Sequence, residues 1–439
     1  MKFKLVFISL LTFLYYFNNF FSTILFEFNK TAAYSKLINS FYNETNISLF
    51  LKCDISNINC LIDKLKLFRN QSKQTNIIFS DYFISKCCYD KSAFYIFQYY
   101  LRNNLYIPYY IINENSDFYK SLLIQNKTKN LILYNDKNLT LFYLNLYEIL
   151  KDSKIIINAY SIEIFQLIVI NVPYIKFLKI NHGIKYFKVL YAQTEFKKEL
   201  GAKMNVICSS PYEYELYTKE LKYNPNQIHN ASLSRYERFQ YIQKNNFEKN
   251  CILVSFTYRA YNKEMFDKSI YKNNLKNFLN NENLIISLIN NNIDLIYIPH
   301  HEEIDLGKNY SQYDYKYAQI KNQSKLEHFI EQCSLLVTDF SSISFDFMFQ
   351  NKPVLFYSID KDDSNNIIEK KFMRESNDTI YFGNFYNNKD LLVDKIKYYI
   401  NNNFSINSYL KQKYESVFFL KTNIFKRLEE IINNILINK

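Results

Sequence analysis

The sequence predicts an α/β protein made of two consecutive parallel-sheet domains. Three observations carry this reading. Short apolar runs of strand length alternate with helical stretches from residue 75 onward, and such alternation implies crossovers between parallel strands covered on both faces. The series is interrupted once, by Asn224-Pro225 and the polar stretch 241–250, and then starts again. Residues able to do chemistry sit just after predicted strands, where open α/β sheets bind their ligands.

Taken in order, residues 1–28 open with Lys2 and Lys4 and then carry apolar runs at 5–17 and 20–28, split by Asn18 and Asn19. The first run is shorter than the ~20 residues a spanning helix needs. The segment reads as membrane-associating: a signal peptide, a poor spanning helix or an interfacial helix. Residues 29–74 are polar and irregular and read as a linker or small helical region. A first Rossmann-like domain is expected over 75–245, with strands at 76–79, 106–112, 154–157, 175–180 and 205–208, and with Ser210-Pro211 opening a helix. A second is expected over 250–439, with strands at 252–256, 295–298, 335–338 and 354–357, helices at 275–290 and 342–350, and a helical tail from Leu391. Two such domains of similar size, facing across a cleft, make a GT-B-like arrangement.

Composition narrows the function classes. The 439 residues include 41 Tyr, 39 Phe, 4 Gly and no Trp, a bias that drains meaning from Tyr and Asn clusters and adds weight to each Gly, Pro and His. The net charge of +12 suits an anionic acceptor, a nucleotide donor or an acidic membrane face. No zinc finger, RNA-binding signature or Arg-rich recognition helix is present, which argues against a nucleic-acid partner. The 7 cysteines are scattered without CxxC spacing, which argues against a disulfide framework or a structural zinc site. The neighbouring His300 and His301 could be metal ligands, but no third ligand has a recognisable spacing, and no cofactor is expected.

Four elements are candidates for chemistry. His182-Gly183 follows the strand at 175–180; the histidine is either a general base or a packed residue, and Gly183 lets backbone approach a ligand. His300 and His301 follow the strand at 295–298, and at most one of such neighbours faces a cleft. Thr257 and Arg259 follow the strand at 252–256, with Arg235 at the end of the first domain as a second guanidinium; these residue types hold phosphate oxygens, or simply make a surface turn. Ser341 and Ser342 begin a helix after the strand at 335–338. That start is either an anion site or a well-capped helix. Asp346, one turn beyond Ser342, shares its helix face. Asp360-Lys361-Asp362 mimics a metal-binding Asp-x-Asp but lies in a polar stretch and reads as solvated.

Thr338-Asp339-Phe340-Ser341-Ser342, Phe345-Asp346-Phe347 and the run 351–357 together resemble the long C-terminal motif of the CDP-glycerol glycerophosphotransferase (teichoic-acid polymerase-like) family. His182-Gly183 resembles its Trp-His-Gly-Thr-Pro motif, and 233–237 its Gly-x-Pro-Arg-Tyr-Asp segment. Thr257-Tyr258-Arg259 resembles Pro-Thr-Trp-Arg, and Pro299-His300 the second family histidine. The resemblance runs over roughly 75–435. Asn181 stands in place of the family Trp, Ile184-Lys185 in place of Thr-Pro, and Ser234 and Phe256 in place of Pro.

The resemblance implies transfer of glycerol phosphate from CDP-glycerol to a polyol-phosphate or glycan acceptor, with release of CMP. It implies His182 as base and His300 at the pyrophosphate. Gly183, Arg235, Thr257, Arg259, Ser341, Ser342 and Asp346 would hold the donor, Asp346 by accepting from donor hydroxyls. On that reading Asp346→Asn weakens donor binding and leaves the melting temperature unchanged. A related enzyme using ribitol phosphate or a sugar on another nucleotide, and a non-catalytic membrane-associated scaffold, are the alternatives. Since CDP-activated donors are cytosolic, the catalytic domains are expected on the cytoplasmic side of the membrane.

Overall fold

The computed structural model describes residues 58–67, 76–81, 91–160, 163–172, 174–185, 204–243, 250–257, 259, 269–300, 315–360 and 384–437. The expectations for residues 1–28, His301 and Tyr258 lie outside these.

Among the described residues the first sheet has seven parallel strands: β1 (Asn76–Ser80), β2 (Ile107–Asn113), β3 (Leu131–Tyr134), β4 (Ser153–Asn158), β5 (Lys176–Lys179), β6 (Met204–Cys208) and β7 (Ile228–Asn230). Their order across the sheet is β3-β2-β1-β4-β5-β6-β7. The second sheet has six among the described residues: β8 (Cys251–Val254), β9 (Asp294–Tyr297), β10 (Gln319–Ile320), β11 (Leu335–Thr338), β12 (Val354–Tyr357) and β13 (Phe385–Tyr386), ordered β10-β9-β8-β11-β12-β13. Every pairing is parallel. Strand order reverses between β1 and β4 in one sheet and between β8 and β11 in the other, and such switch points open crevices at the carboxyl edge.

The continuous apolar runs expected of strands buried on both faces are what the sheets contain. On β1, Ile77 and Phe79 pack to one side and Ile78 to the other. The Ile77 side belongs to a core that also holds Leu253, Leu336 and Phe345 of the second domain, so one apolar body runs beneath both. The outer faces carry their own cores. Helix α1 (Ile58–Leu67) contributes Leu61, Ile62 and Leu65 to the outer core of the first domain, so this piece of 29–74, read as a linker or small helical region, is helical and packs on that domain.

Two expectations are corrected here. The helix read over 275–290 is two helices, Ile270–Leu279 and Glu282–Asn290, because Asn281 leaves the helical region and its side chain caps the second by accepting from Leu284 N at 3.0 Å. The cysteines are not all unpaired: Cys251 and Cys333 form a disulfide. The parallel pairing of β8 with β11 brings the starts of these strands together, and a partner 82 residues away carries no local spacing signal.

The tail returns to the first domain. The last helix, Ile424–Ile437, buries Ile424, Leu428, Ile431, Ile432 and Ile435. Glu237 accepts from Ile424 N at 2.7 Å, Lys176 Nζ donates to Ile435 O at 2.6 Å, and Tyr99 Oη donates to Glu429 at 2.7 Å.

Candidate functional site

The site forms where the carboxyl edges of the two sheets meet. After β5 the backbone turns sharply at Asn181, whose φ of 54° is left-handed. Asn tolerates that region where most residues do not. Its side chain is fully buried, and Nδ2 donates to Ile207 O at 3.0 Å and to Tyr217 Oη at 2.8 Å. The turn throws half-buried His182 off the strand line, where its ring lies on Tyr160 with centroids 4.2 Å apart and planes 4° from parallel. Gly183 then passes directly against the second domain. A Cβ built on it would lie 2.7 Å from Ser342 Oγ and 3.0 Å from Ser342 Cβ, so no other residue fits without displacing Ser342.

Glu213 fixes the rest of this loop. It is fully buried, and its carboxylate accepts from Lys185 N and from Ser209 N, each at 2.8 Å. Burial pushes its carboxyl up to about 7, and these two backbone donors oppose the shift. Ser210-Pro211-Tyr212-Glu213 has the Ser-x-x-Glu pattern of a capping box. Here Ser210 Oγ does accept from Tyr212 N and Glu213 N, while the glutamate reaches past the cap to the histidine loop.

Opposite, the helix Ile343–Phe349 starts after β11. Ser342 occupies its N-cap without making a side-chain capping bond, and Ser341 and Ser342 are half-buried while the whole helix is buried. The pair is therefore on the cleft wall with Ser342 Oγ not spent on the cap. His300 is half-buried just beyond β9.

The charged candidates have protein partners. Arg235 donates from Nε and Nη2 to the two oxygens of Asp346, at 2.8 and 3.0 Å, and from Nη1 to His182 O at 2.6 Å. Asp346 is 1% exposed. Burial raises its carboxyl pKa, with Arg235 opposing. Asp346 was expected to meet donor hydroxyls and Arg235 the phosphates; in this structure they brace the histidine loop against the second domain.

Arg259 is likewise 1% exposed and donates to Asp360 from Nε at 2.7 Å and Nη2 at 2.8 Å, and from Nη1 to Asp339 at 2.8 Å and Thr257 O at 2.7 Å. Burial works against its charge, but Asp339 and Asp360 hold its pKa well above the ordinary value. Thr257 donates to Asp339 from N at 2.9 Å and Oγ1 at 2.8 Å. Asp360 is thus not a solvated loop residue, as its polar neighbours suggested, but a buried counter-ion. Together these groups knit β8, β11 and β12 at the second switch point. Among the described residues no three His, Cys, Asp or Glu side chains gather to hold a metal ion.

Two doubly wound parallel sheets touching through the loops after β5 and β11 define a GT-B-type fold. The comparisons with known proteins then place the chain. It belongs to the CDP-Glycerol:Poly(glycerophosphate) glycerophosphotransferase family, whose model matches residues 77–423. Among curated proteins it is similar to the minor teichoic acid biosynthesis protein GgaB of Bacillus subtilis (strain 168), 23% identical over 364 residues. That match covers 79% of this chain and 39% of the relative, so the chain spans about two fifths of the relative's length. Among solved structures it is similar to the wall teichoic acid polymerase TagF, with a TM-score of 0.58 at 15% identity over 91% of this chain and 98% of that one. It is also similar to S. aureus MnaA in its UDP co-structure, with a TM-score of 0.51 at 12% identity over 82% and 96% of the two chains. At these identities the solved structures speak for the fold alone.

Proposed function

We propose that the chain transfers glycerol phosphate from CDP-glycerol to a hydroxyl of a polyol-phosphate or glycan acceptor in the synthesis of a surface polymer, releasing CMP. The observation that carries this is the contact of Gly183, beside His182, with Ser342 across the cleft. It joins the family's histidine segment to its serine segment at one place.

The acceptor hydroxyl attacks the glycerol-bearing phosphorus. A new P–O bond forms between the acceptor oxygen and this phosphorus, the bond from this phosphorus to the bridging oxygen breaks, and CMP departs carrying the bridging oxygen. His182 takes the hydroxyl proton, a role suited to imidazole near neutral pH. His300, Ser341 and Ser342 face the pyrophosphate and donate to its oxygens as charge builds on the leaving group. Arg235 and Asp346 set the distance between the two halves, and Arg259, Thr257 and Asp339 stiffen the floor of the nucleotide side. The apolar segment 1–28 is assigned to the membrane face that presents the acceptor, with the catalytic domains on the cytoplasmic side.

The test offers the full chain CDP-glycerol, CDP-ribitol and UDP-sugars separately and identifies the nucleotide released. CMP from CDP-glycerol is expected, with turnover of His182→Ala about two to four orders of magnitude lower. CMP from CDP-ribitol alone, or UMP or UDP from a sugar donor, overturns the donor assignment. Failure to bind any nucleotide overturns the enzyme reading in favour of a scaffold.

A further inference from the structure

Tyr160 belongs to none of the motifs that mark the site, yet its ring stacks on His182. It follows β4 at the switch point of the first sheet. There Asn158 Nδ2 donates to Ser80 O at 3.0 Å, and Asn158 Oδ1 accepts from Tyr160 N at 2.8 Å. The backbone of Tyr160 is therefore pinned to the two strands that flank the crevice. Its ring is half-buried, packs against both cores of the first domain, and lies parallel to the imidazole at 4.2 Å.

We infer that Tyr160 is a positioning residue for His182, holding the imidazole plane and favouring the imidazolium that forms when the histidine takes the acceptor's proton. An aromatic face attracts a cation more than a neutral ring, so the stack strengthens as the reaction proceeds. Only an interaction that strengthens in this way raises turnover. The ring, not the hydroxyl, supplies the effect. Tyr160 acts through His182, and the inference rests on the assignment of His182 as base.

The experiment compares Tyr160→Leu, Tyr160→Phe and His182→Ala in the full chain, with CDP-glycerol as donor and short poly(glycerol phosphate) as acceptor. Tyr160→Leu is expected to lower kcat about three- to thirtyfold, the range a cation–aromatic contact spans, with KM for CDP-glycerol little changed. Tyr160→Phe is expected to keep the parental rate. In 13C-edited NMR spectra of the five histidines, the His182 ring protons, assigned by their absence in His182→Ala, should move downfield in Tyr160→Leu and stay in place in Tyr160→Phe.

Parental turnover in Tyr160→Leu together with an inactive His182→Ala overturns the inference and leaves the base assignment standing. Parental turnover in His182→Ala overturns the base assignment and the inference with it. Equal slowing in Tyr160→Phe and Tyr160→Leu, or a raised KM at unchanged kcat, also overturns it, since a hydroxyl role or a substrate contact would then explain Tyr160. His182 signals that do not respond to Tyr160→Leu show that the stack does not form in solution.

Discussion

Arg235 and Asp346 show what one residue's environment does to a role inferred from sequence. Each is the right type for a phosphate or hydroxyl contact, and each is bound to the other over a separation of 111 residues. Removing one member of a buried ion pair leaves an uncompensated charge and costs about 3–5 kcal/mol. Asp346→Asn is therefore expected to lower the melting temperature markedly and not to leave it unchanged. A variant as stable as the parent would mean that the carboxylate is available to the donor after all. Gly183 permits a sharper test. Gly183→Ala pushes against Ser342 Oγ at 2.7 Å, and misplacement by about 1 Å near a reacting centre can cost on the order of 100-fold. At least a tenfold loss of turnover is expected. Combining it with Ser342→Gly should relieve the clash, so that the double variant retains parental stability while Gly183→Ala alone does not.

At the scale of elements, the loop from His182 to Lys185 depends on Glu213 from a neighbouring helix. The sign of its pH effect follows from its raised pKa. The folded value of about 7 exceeds the ordinary 4.5, so folding takes up a proton. The group's contribution to stability is therefore full below pH 4.5 and falls as pH rises to about 7. Glu213→Gln cannot ionise, so its melting temperature should gain on the parent's across that window. A constant difference would count against the assignment.

The strands that could be read from sequence were the apolar central ones: β11 and β12 are fully buried runs of Leu, Val, Phe and Tyr ended by Thr338 and Ser358. The strands that escaped, β3, β7, β10 and β13, are two to four residues long and partly exposed at or near sheet edges. β7, β10 and β13 carry too few apolar residues for a period to show, whereas β3 is an apolar run as long as β12, and what sets it apart is its partly exposed place at the sheet edge. At the site, His182, Gly183, Ser341 and Ser342 could be seen because each follows a recognisable strand. Tyr160 was hidden among 41 tyrosines, and the buried partnerships of Arg235 and Arg259 were hidden by chain separation. Two local signals were available and passed over: Asn before His-Gly, which favours a left-handed turn, and Ser-x-x-Glu at 210–213.

At the scale of the whole molecule, the halves are joined by more than the site. Glu327 pairs with Lys91 and Arg238, each at 3.0 Å, and accepts from Tyr95, while Arg238 also reaches Glu331. Burial works against the charge of Glu327, but these cations hold its carboxyl below the usual range. The last helix adds apolar burial to this polar seam. Leu428, 1% exposed, should cost about 2–5 kcal/mol as Leu428→Ala, read in a single unfolding transition shared by both domains. Two separate transitions in that variant would show that the helix is what couples them; an unchanged midpoint would show that it is dispensable.

The position of that helix also sets a schedule for synthesis. β7, the last strand of the first sheet, ends at Asn230, and the helix that covers part of that domain's core begins at Ile424. A ribosome adds about 5–20 residues per second, so the intervening stretch of roughly 200 residues takes on the order of 10–40 s to make. Throughout that interval the nascent chain lacks the cover that Ile424, Leu428, Ile431, Ile432 and Ile435 give in the finished molecule. The rate of translation, and whatever binds exposed apolar surface in the cell, therefore bear on the yield of this protein before its chemistry begins.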